Sequence, residues 1–224
     1  MRPERDAELE NEVYENESFR GQDLSGLRTT RCTFQACDFS FAQLNASEHA
    51  GSDFANSVFE GANLFGAHFE ECRLVGASFA GATLTGVIAK GGDWSYVLLR
   101  GHNLSGFDLQ GVRLREADLS EADLTNADLR GADLTRARVH NAILAGADLR
   151  DALVDNVILA AAAESEHHEI AVYEVLITHA EARGASQVVE LLRENLGQEE
   201  HALDIARTTL KEVARQAGAV AGRA

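Results

Sequence analysis

Residues 117–136 read ADLSE ADLTN ADLRG ADLTR, and this stretch decides the fold. A leucine recurs at every fifth residue, and an alanine lies two residues before each leucine. The same phase runs through residues 14–159, where only Thr29, His49 and Ala89 replace the large apolar residue at the centre of a unit. A fixed period of this kind indicates a repeat architecture, and it takes precedence over local secondary-structure signals.

A period of five fits neither a helix, which needs 3.6, nor a strand, which needs 2. It predicts a solenoid in which the central residue and the small residue two places earlier point inward, while the other three point outward. Four units then close a coil of about twenty residues, and coils stack about 4.8 Å apart, so the repeats form a rod of roughly 36 Å. A large inward residue needs a small partner, as Trp94 has in Gly92.

The small inward position explains the cysteines. Cys32, Cys37 and Cys72 all fall on it, which predicts packing and not metal or redox chemistry. His49 lies at a unit centre and is predicted to be a packing residue. Glycines at the last unit position are predicted to form turns and not a phosphate-binding loop; they are Gly61, Gly66, Gly81, Gly86, Gly101, Gly106 and Gly111.

The A(D/N)LXX units resemble the pentapeptide-repeat proteins. That resemblance implies an all-β, right-handed quadrilateral β-helix over residues 14–160, preceded by an acidic N-terminal segment, 1–13. Residues 23–64 and 94–119, which begin DLSGLRTTRC and WSYVLLRGHN, are similar to the fluoroquinolone-resistance subgroup, the MfpA and Qnr type. Members of that subgroup are dimers that bind DNA gyrase by imitating duplex DNA. The resemblance therefore implies a homodimer with DNA gyrase as its partner.

The charge agrees with such a partner. The chain has 36 Asp and Glu against 20 Lys and Arg, a net charge of −16. Residues 1–160 hold 25 acidic and 14 basic residues, hence −11, and residues 161–224 hold 11 and 6, hence −5. Such a chain repels nucleic acid and attracts proteins that bind nucleic acid. The alternative is that many soluble bacterial proteins are simply acidic.

Residues twenty apart are predicted to stack on the rod surface. One column alternates in sign and is predicted to neutralise itself: Asp53, Arg73, Asp93, Arg113 and Asp133. Another column holds only acids, and its neighbouring sides add more. Together they are the candidate partner-binding surface: Asp108, Asp128, Asp148, Glu116, Asp118, Glu121 and Asp123. Two interpretations stay open, because an Asp before the central Leu also suits local turn hydrogen bonds, and Arg130 and Arg150 weaken the field.

After Leu159 the repeat stops and helical spacing begins. One helix is predicted over 161–182 and a second over about 186–216, so that residues 161–224 form a helical hairpin that caps the solenoid or forms the dimer contact. The predicted dimer or cap surface is apolar: Ile143, Leu153, Ile158, Ile170, Tyr173, Ile177, Leu192, Leu196, Leu203 and Leu210.

Residues 165–214 are also similar to the last two helices of a ferritin-like stress-protein family, the YciE/YciF type. That family binds two metals through inward carboxylates and histidines, which makes Glu164, His167 and Glu199 weak metal candidates. However, only half a bundle is present and the second helix lacks an E-x-x-H motif, so two hairpins would have to pair. We predict no metal and no cofactor.

No catalytic constellation or pocket is implied, so no enzyme is expected. The first twenty residues are rich in Glu and no apolar run is long enough to span a membrane, which predicts a cytoplasmic protein without membrane contact. Three hypotheses follow: a gyrase-binding DNA mimic, a solenoid scaffold for another partner, and a metal-binding dimer built by the tail.

Overall fold

The computed structural model shows a β-solenoid. It describes residues 3–154 and the C-terminal positions 170, 177, 181, 190, 193–198, 200, 201, 203, 204 and 208. Each coil has four faces. We name them after their first outward residue: face A carries Glu8 and every twentieth residue after it, and faces B, C and D start in the same way at Val13, Ser18 and Asp23.

The strands are three residues long and pair only in parallel. They are β1 (Glu8–Glu10), β2 (Val13–Glu15), β3 (Arg28–Thr30), β4 (Thr33–Gln35), β5 (Glu48–Ala50), β6 (His68–Glu70) and β7 (Ile88–Lys90). Strands β1, β3, β5, β6 and β7 form a five-stranded sheet on face A, and β2 and β4 pair on face B. Elsewhere single parallel bridges join residues twenty apart, such as Asp118 and Arg138. The predicted coil of twenty residues is therefore confirmed.

Each five-residue unit ends in a left-handed residue. From Asp6 to Asp151, every fifth residue has a positive φ, whether or not it is glycine. At one such corner the amide of Ala122 donates to the carbonyl of Leu119 at 3.1 Å, and Glu121 has φ 62°. This is a type II turn, in which the third residue must adopt positive φ. The glycines at the last unit position are turn residues, as predicted.

The inside of the rod is a continuous apolar core. The central Phe and Leu residues of coils from Phe19 to Leu144 are almost wholly buried. In the N-terminal coils their rings stack from one coil to the next: Phe39 lies 5.0 Å from Phe59, and Phe59 lies 4.9 Å from Phe79. These centroid distances match the coil spacing, because each ring sits on its equivalent in the next coil.

The inward polar residues are buried as well. The three cysteines are free and buried, and burial raises the pKa of the Cys72 thiol to about 12. His49 is only 3% exposed. Its Nδ1 lies 2.7 Å from Thr29 Oγ1 and its Nε2 lies 3.0 Å from Ser47 Oγ. Burial lowers the pKa of His49 to about 3, so the imidazole is neutral and serves packing, as predicted.

The solenoid begins earlier than predicted. Strand β1 lies within residues 1–13, which we predicted to be a separate acidic segment, and it pairs with β3 through Leu9 and Thr29. Ala7 and Leu9 are partly buried against the core and occupy the small and central positions of a unit. The boundary predicted at Tyr14 is therefore wrong, since the apolar phase already holds one unit before it.

Gly92 lies where two coils approach each other closely. A Cβ atom there would lie 2.2 Å from the carbonyl oxygen of Cys72, and Gly92 has φ 82°. The glycine is required because the chain passes close to the backbone of the preceding coil.

The described C-terminal positions are helical, from Ile170 to residue 208. Arg193 Nη2 lies 2.6 Å from Glu181 Oε1, and these two residues belong to the two different helices that the sequence predicts. The helical character of this region agrees with the sequence. That its helices form one hairpin stays a prediction.

Candidate partner-binding surface

The predicted acidic column exists on face A. Asp128 forms parallel bridges with Asp108 on one side and Asp148 on the other. All three side chains are half-buried. They follow β7 along the same face, but within the described solenoid no bridge joins Ile88 of β7 to Asp108, so the column begins after an interruption of the ladder.

Each carboxylate of the column also accepts a hydrogen bond from its own turn. Oδ1 of Asp108 accepts from the amide of Gln110 at 3.2 Å, and Oδ1 of Asp128 accepts from the amide of Arg130 at 3.1 Å. Asp148 is bonded by the amide of Arg150 in the same way. The turn interpretation therefore describes a real local role for these residues, which does not conflict with binding a partner.

Two arginines lie on the column. Arg130 Nη2 contacts Asp128 Oδ2 at 2.5 Å, and its Nε lies 3.7 Å from Asp148 Oδ2. Arg150 binds Asp148 through Nε and Nη2. These bonds lower the pKa of Asp128 and of Asp148. The column is therefore a partly neutralised strip and not a run of bare charges.

Most of the neighbouring acids also have partners. Asp118 is paired with Arg138 at 3.0 Å. Glu121 Oε1 lies 2.6 Å from Arg100 Nη2. Glu116 accepts a hydrogen bond from the Tyr96 hydroxyl at 3.0 Å, and Asp123 accepts one from the amide of Thr125 at 2.9 Å. Among the seven predicted residues, Asp108, Glu116 and Asp123 form no ion pair within the described part of the chain.

The alternating column on face B does neutralise itself. Arg73 Nη1 lies 2.9 Å from Asp53 Oδ2, and Arg113 Nη1 lies 2.9 Å from Asp93 Oδ2. Asp133 forms an ion pair with Arg115 at 3.2 Å, whereas Arg113 forms its ion pair with Asp93. Exposed pairs of this kind contribute little to stability, about 0–1 kcal/mol each. Their consequence here is that the column from Asp53 to Asp133 offers a partner no net acidic field.

The N-terminal coils are more acidic than the sequence analysis assumed. Residues 103–154 hold nine carboxylates and six arginines, hence −3, whereas residues 3–102 hold fifteen carboxylates and seven basic residues, hence −8. Glu12, Glu15 and Glu17 are exposed on the first coil, and the described residues give them no ion pair. Sequence reasoning left them out of the candidate surface because it concentrated on the acidic column of the C-terminal coils, although the local excess of Glu was visible.

The middle of faces C and D is largely uncharged. Face C exposes Phe41, Val58 and Leu98, which are 47, 37 and 43% accessible, and face D exposes Phe65 at 57%. The guanidinium of Arg20 lies 4.6 Å above the Phe41 ring. Exposed apolar residues on these faces and charged residues on faces A and B give the rod two different sides.

The predicted dimer or cap residues divide into three groups. Ile143 and Leu153 are exposed, 47 and 59%, on the last coils. Ile170 and Leu196 are half-buried, whereas Ile177 and Leu203 are buried. The others lie outside the described residues: Ile158, Tyr173, Leu192 and Leu210.

The weak metal candidates Glu164, His167 and Glu199 also lie outside the described residues. Within the residues that the structure covers, no three His, Cys, Asp or Glu side chains are grouped to hold a metal ion. No helix of the described part has the length and apolarity to cross a bilayer.

Two family models match the sequence. A model of pentapeptide repeats matches eight copies, over residues 62–93 and 98–136. A model described as a domain of unknown function (DUF892) matches residues 136–219. The second match starts inside the solenoid, so rod and domain overlap over residues 136–154. The first is interrupted at residues 94–97, next to the close approach at Gly92.

Individual relatives point to one subgroup. The pentapeptide repeat protein MfpA of Mycobacterium tuberculosis is 41% identical over 91 residues, which cover 41% of this chain and 50% of that protein. MfpA of Mycolicibacterium smegmatis is 42% identical over 55 residues, covering 25% of this chain and 29% of that protein. The chain thus spans half or less of the length of these curated relatives.

A solved structure supports the fold. QnrB1, a plasmid-mediated fluoroquinolone resistance protein, superposes in a trypsin-treated form with a TM-score of 0.56 at 24% identity, and the match covers 70% of this chain and 88% of that one. At this identity the likeness concerns the solenoid alone.

Proposed function

Because this chain is a pentapeptide-repeat protein related to the MfpA and Qnr proteins and has a C-terminal DUF892 match, we propose that it binds DNA gyrase as a mimic of duplex DNA. The protein is then a cytoplasmic, non-enzymatic regulator that changes gyrase activity or protects gyrase from quinolone-like inhibitors. One observation carries the proposal: 24 carboxylates against 13 basic residues lie along the solenoid of residues 3–154.

The physical basis is a rod with charges at regular intervals. Coils repeat at a strand spacing of about 4.8 Å, so the carboxylates of one column recur at that interval, and a protein groove that binds DNA attracts them. Face A is the surface we assign to this contact, because its acidic column is continuous and Asp108 forms no ion pair with an arginine of the described residues. Face B is self-paired and faces C and D are largely uncharged in the middle of the rod.

The test compares two triple variants of equal charge change. Asp108→Asn, Asp128→Asn and Asp148→Asn remove three charges from face A and leave Arg130 and Arg150 unpaired. Asp53→Asn, Asp93→Asn and Asp133→Asn remove three charges from face B. We expect the face A variant to weaken binding of purified gyrase at least tenfold, measured at several salt concentrations, and the face B variant to weaken it far less.

Contacts of this kind must also weaken steeply as salt rises, because exposed charges are screened over about 10 Å at 0.1 M. Equal losses from both triple variants would show that only net charge matters. Binding that does not respond to salt would refute mimicry. No gyrase binding at all would favour a scaffold for another partner, and a supercoiling assay with and without a fluoroquinolone would separate inhibition from protection.

We also propose that the protein is a homodimer joined at its C-terminal end. Ile143 on face D and Leu153 on face B support this proposal, because large apolar residues exposed on the last coils of a rod are suited to burial in a contact. In sedimentation runs, Ile143→Glu with Leu153→Glu is expected to give monomers, as is deletion of residues 161–224. Phe65→Glu, an equally exposed apolar position in the middle of the rod, is the control and must leave the dimer intact.

A further inference from the structure

The ladder between coils is interrupted at one place. On face D the expected bridge between Thr83 and Asn103 is not formed, and on face A the bridge between Ile88 and Asp108 is also missing within the described solenoid. Faces B and C stay closed at the same level, since Asp93 bridges Arg113 and Ser78 bridges Leu98. Two neighbouring coils therefore separate on two adjacent sides only.

The separation leaves backbone groups without their usual partners. In the regular coils, Gly66 N–H donates to Thr85 and Gly106 N–H donates to Thr125, at 3.0 and 2.8 Å. The equivalent bond from Gly86 to Ser105 is not made in the described structure. Several other bonds across the opening are likewise not made: Leu84 to Asn103, Ala89 to Asp108, Asn103 to Ala82 and Asp108 to Val87.

The cause is the size of two inward side chains. His102 and Phe107 occupy the small position of their units; the neighbouring coils have Ala82 and Ala122 in the column of His102, and Ala127 follows Phe107. Val87 occupies the equivalent position in the preceding coil, twenty residues before Phe107. Because interiors are close-packed, side chains larger than the space between two coils force the backbones apart.

The result is a cleft of about 540 Å³ at the corner between faces D and A. Residues 85–88 line one side, and Asn103 with residues 105–108 line the other. Val87 and Phe107 form an apolar floor, and Asp108 contributes a half-buried carboxylate.

We propose that this cleft binds an extended peptide segment of a partner protein, which pairs its backbone with the rims and places a basic side chain against Asp108. Each rim offers both N–H and C=O groups in the order of a parallel strand, and a peptide backbone supplies the complementary groups, as in other strand insertions. Exposed backbone groups need water or a partner, so replacing water here requires a ligand of this chemistry. The charge of Asp108 selects Lys or Arg at one end.

Hydrogen exchange of the full-length protein tests whether the cleft is open in solution. The amides of Leu84, Gly86 and Asp108 are expected to exchange at least a hundredfold faster than those of Leu64, Gly66 and Asp128, which occupy the same positions in closed coils. Equal protection of the two sets would mean that the ladder is closed in solution and would overturn the proposal.

A lock across the cleft tests binding. In regular coils, residues twenty apart lie within the Cα range of a disulfide, so Thr85→Cys with Ser105→Cys closes the cleft when oxidised. Ser105→Cys with Thr125→Cys, across a ladder that is already closed, is the matched control. Because oxidation of the first pair requires movement, His102→Ala with Phe107→Ala serves as a second closed variant.

The probe is a phage-displayed library of random heptapeptides selected on the full-length protein. We expect peptides with a Lys or Arg that bind the wild type and the control, and that lose at least tenfold in affinity on the closed variants and on Asp108→Asn. A library that yields no peptide, or peptides that bind open and closed forms equally, would refute the peptide site.

Discussion

The two halves of the rod reach the same backbone with different side chains. Before the cleft, aromatic rings stack through the coils, as Phe34 does with Phe54 at 5.0 Å. After it, leucines fill the central positions and alanines the small ones, as in Leu119 and Ala117, both fully buried. The coils close in both halves. What the solenoid requires is therefore a suitable sum of inward volumes, and the kind of side chain is secondary.

The junction between the halves shows what happens when that sum is wrong. His102 and Phe107 put large groups at small positions, and the ladder opens beside them. Gly92 lies in the same coil and approaches the preceding backbone so closely that no Cβ fits. The irregular coil thus combines two features. Its inward side chains His102 and Phe107 are larger than usual, and its backbone at Gly92 lies closer than usual to the preceding coil.

The largest effect is expected in the leucine half, from Leu124→Lys. Leu124 is fully buried, and an unpaired charge there has no compensating partner. We expect the variant to lose cooperative thermal unfolding. Circular dichroism recorded during heating measures this loss. Leu98→Lys is the matched control, since Leu98 is 43% exposed and points outward. A soluble Leu124→Lys protein that unfolds cooperatively would contradict the assignment of the inward column.

A smaller effect is expected at the junction, from Gly92→Ala. The added methyl group would clash with the Cys72 carbonyl and would also force alanine into positive φ, so a loss of roughly 2–6 kcal/mol is expected in denaturant unfolding. Gly101→Ala separates the two causes. Gly101 has φ 69° but open space around its Cα, so it should lose only about 1–3 kcal/mol. Equal losses would mean that the close approach is unimportant.

The smallest effect is expected in the aromatic half, where the titration of His49 makes the free energy of unfolding depend on pH. His49 has a folded-state pKa of about 3, below its ordinary value of 6.5. Between these values the unfolded chain binds a proton that the folded chain does not. Stability is therefore complete above pH 6.5 and falls as the pH drops towards 3, by at most about 1.4 kcal/mol per pH unit.

The variant His49→Phe is expected to remove that slope between pH 6.5 and 4.5, in urea unfolding measured at each pH. A phenyl ring suits the site, because His49 already stacks on Phe69 with centroids 4.9 Å apart. His68→Gln, on the exposed side of the neighbouring coil, is the control and should keep the slope. An unchanged slope in His49→Phe would assign the acid sensitivity to other groups.

Much of the rod could be predicted because its period is local. The inward positions of Leu119, Cys72 and His49 follow from counting in fives. The start of the rod could not be placed in this way: Leu9 continues the phase, but one isolated unit in a Glu-rich stretch carries too little signal until its pairing with β3 is seen. The order of charges along faces A and B also followed from the twenty-residue coil. Which carboxylate each arginine forms an ion pair with did not follow from it.

The sequence by itself determined the coil, the four faces, the buried column and the acidic balance, because each depends only on residue type and spacing. The tertiary structure decided three other features. It turned Arg130 and Arg150 onto the acidic column, it joined residues 8–13 to the first coil, and it opened the ladder beside Phe107. These depend on side-chain reach and on volumes summed over neighbouring coils, and residues twenty apart in the chain meet only once the coils have stacked.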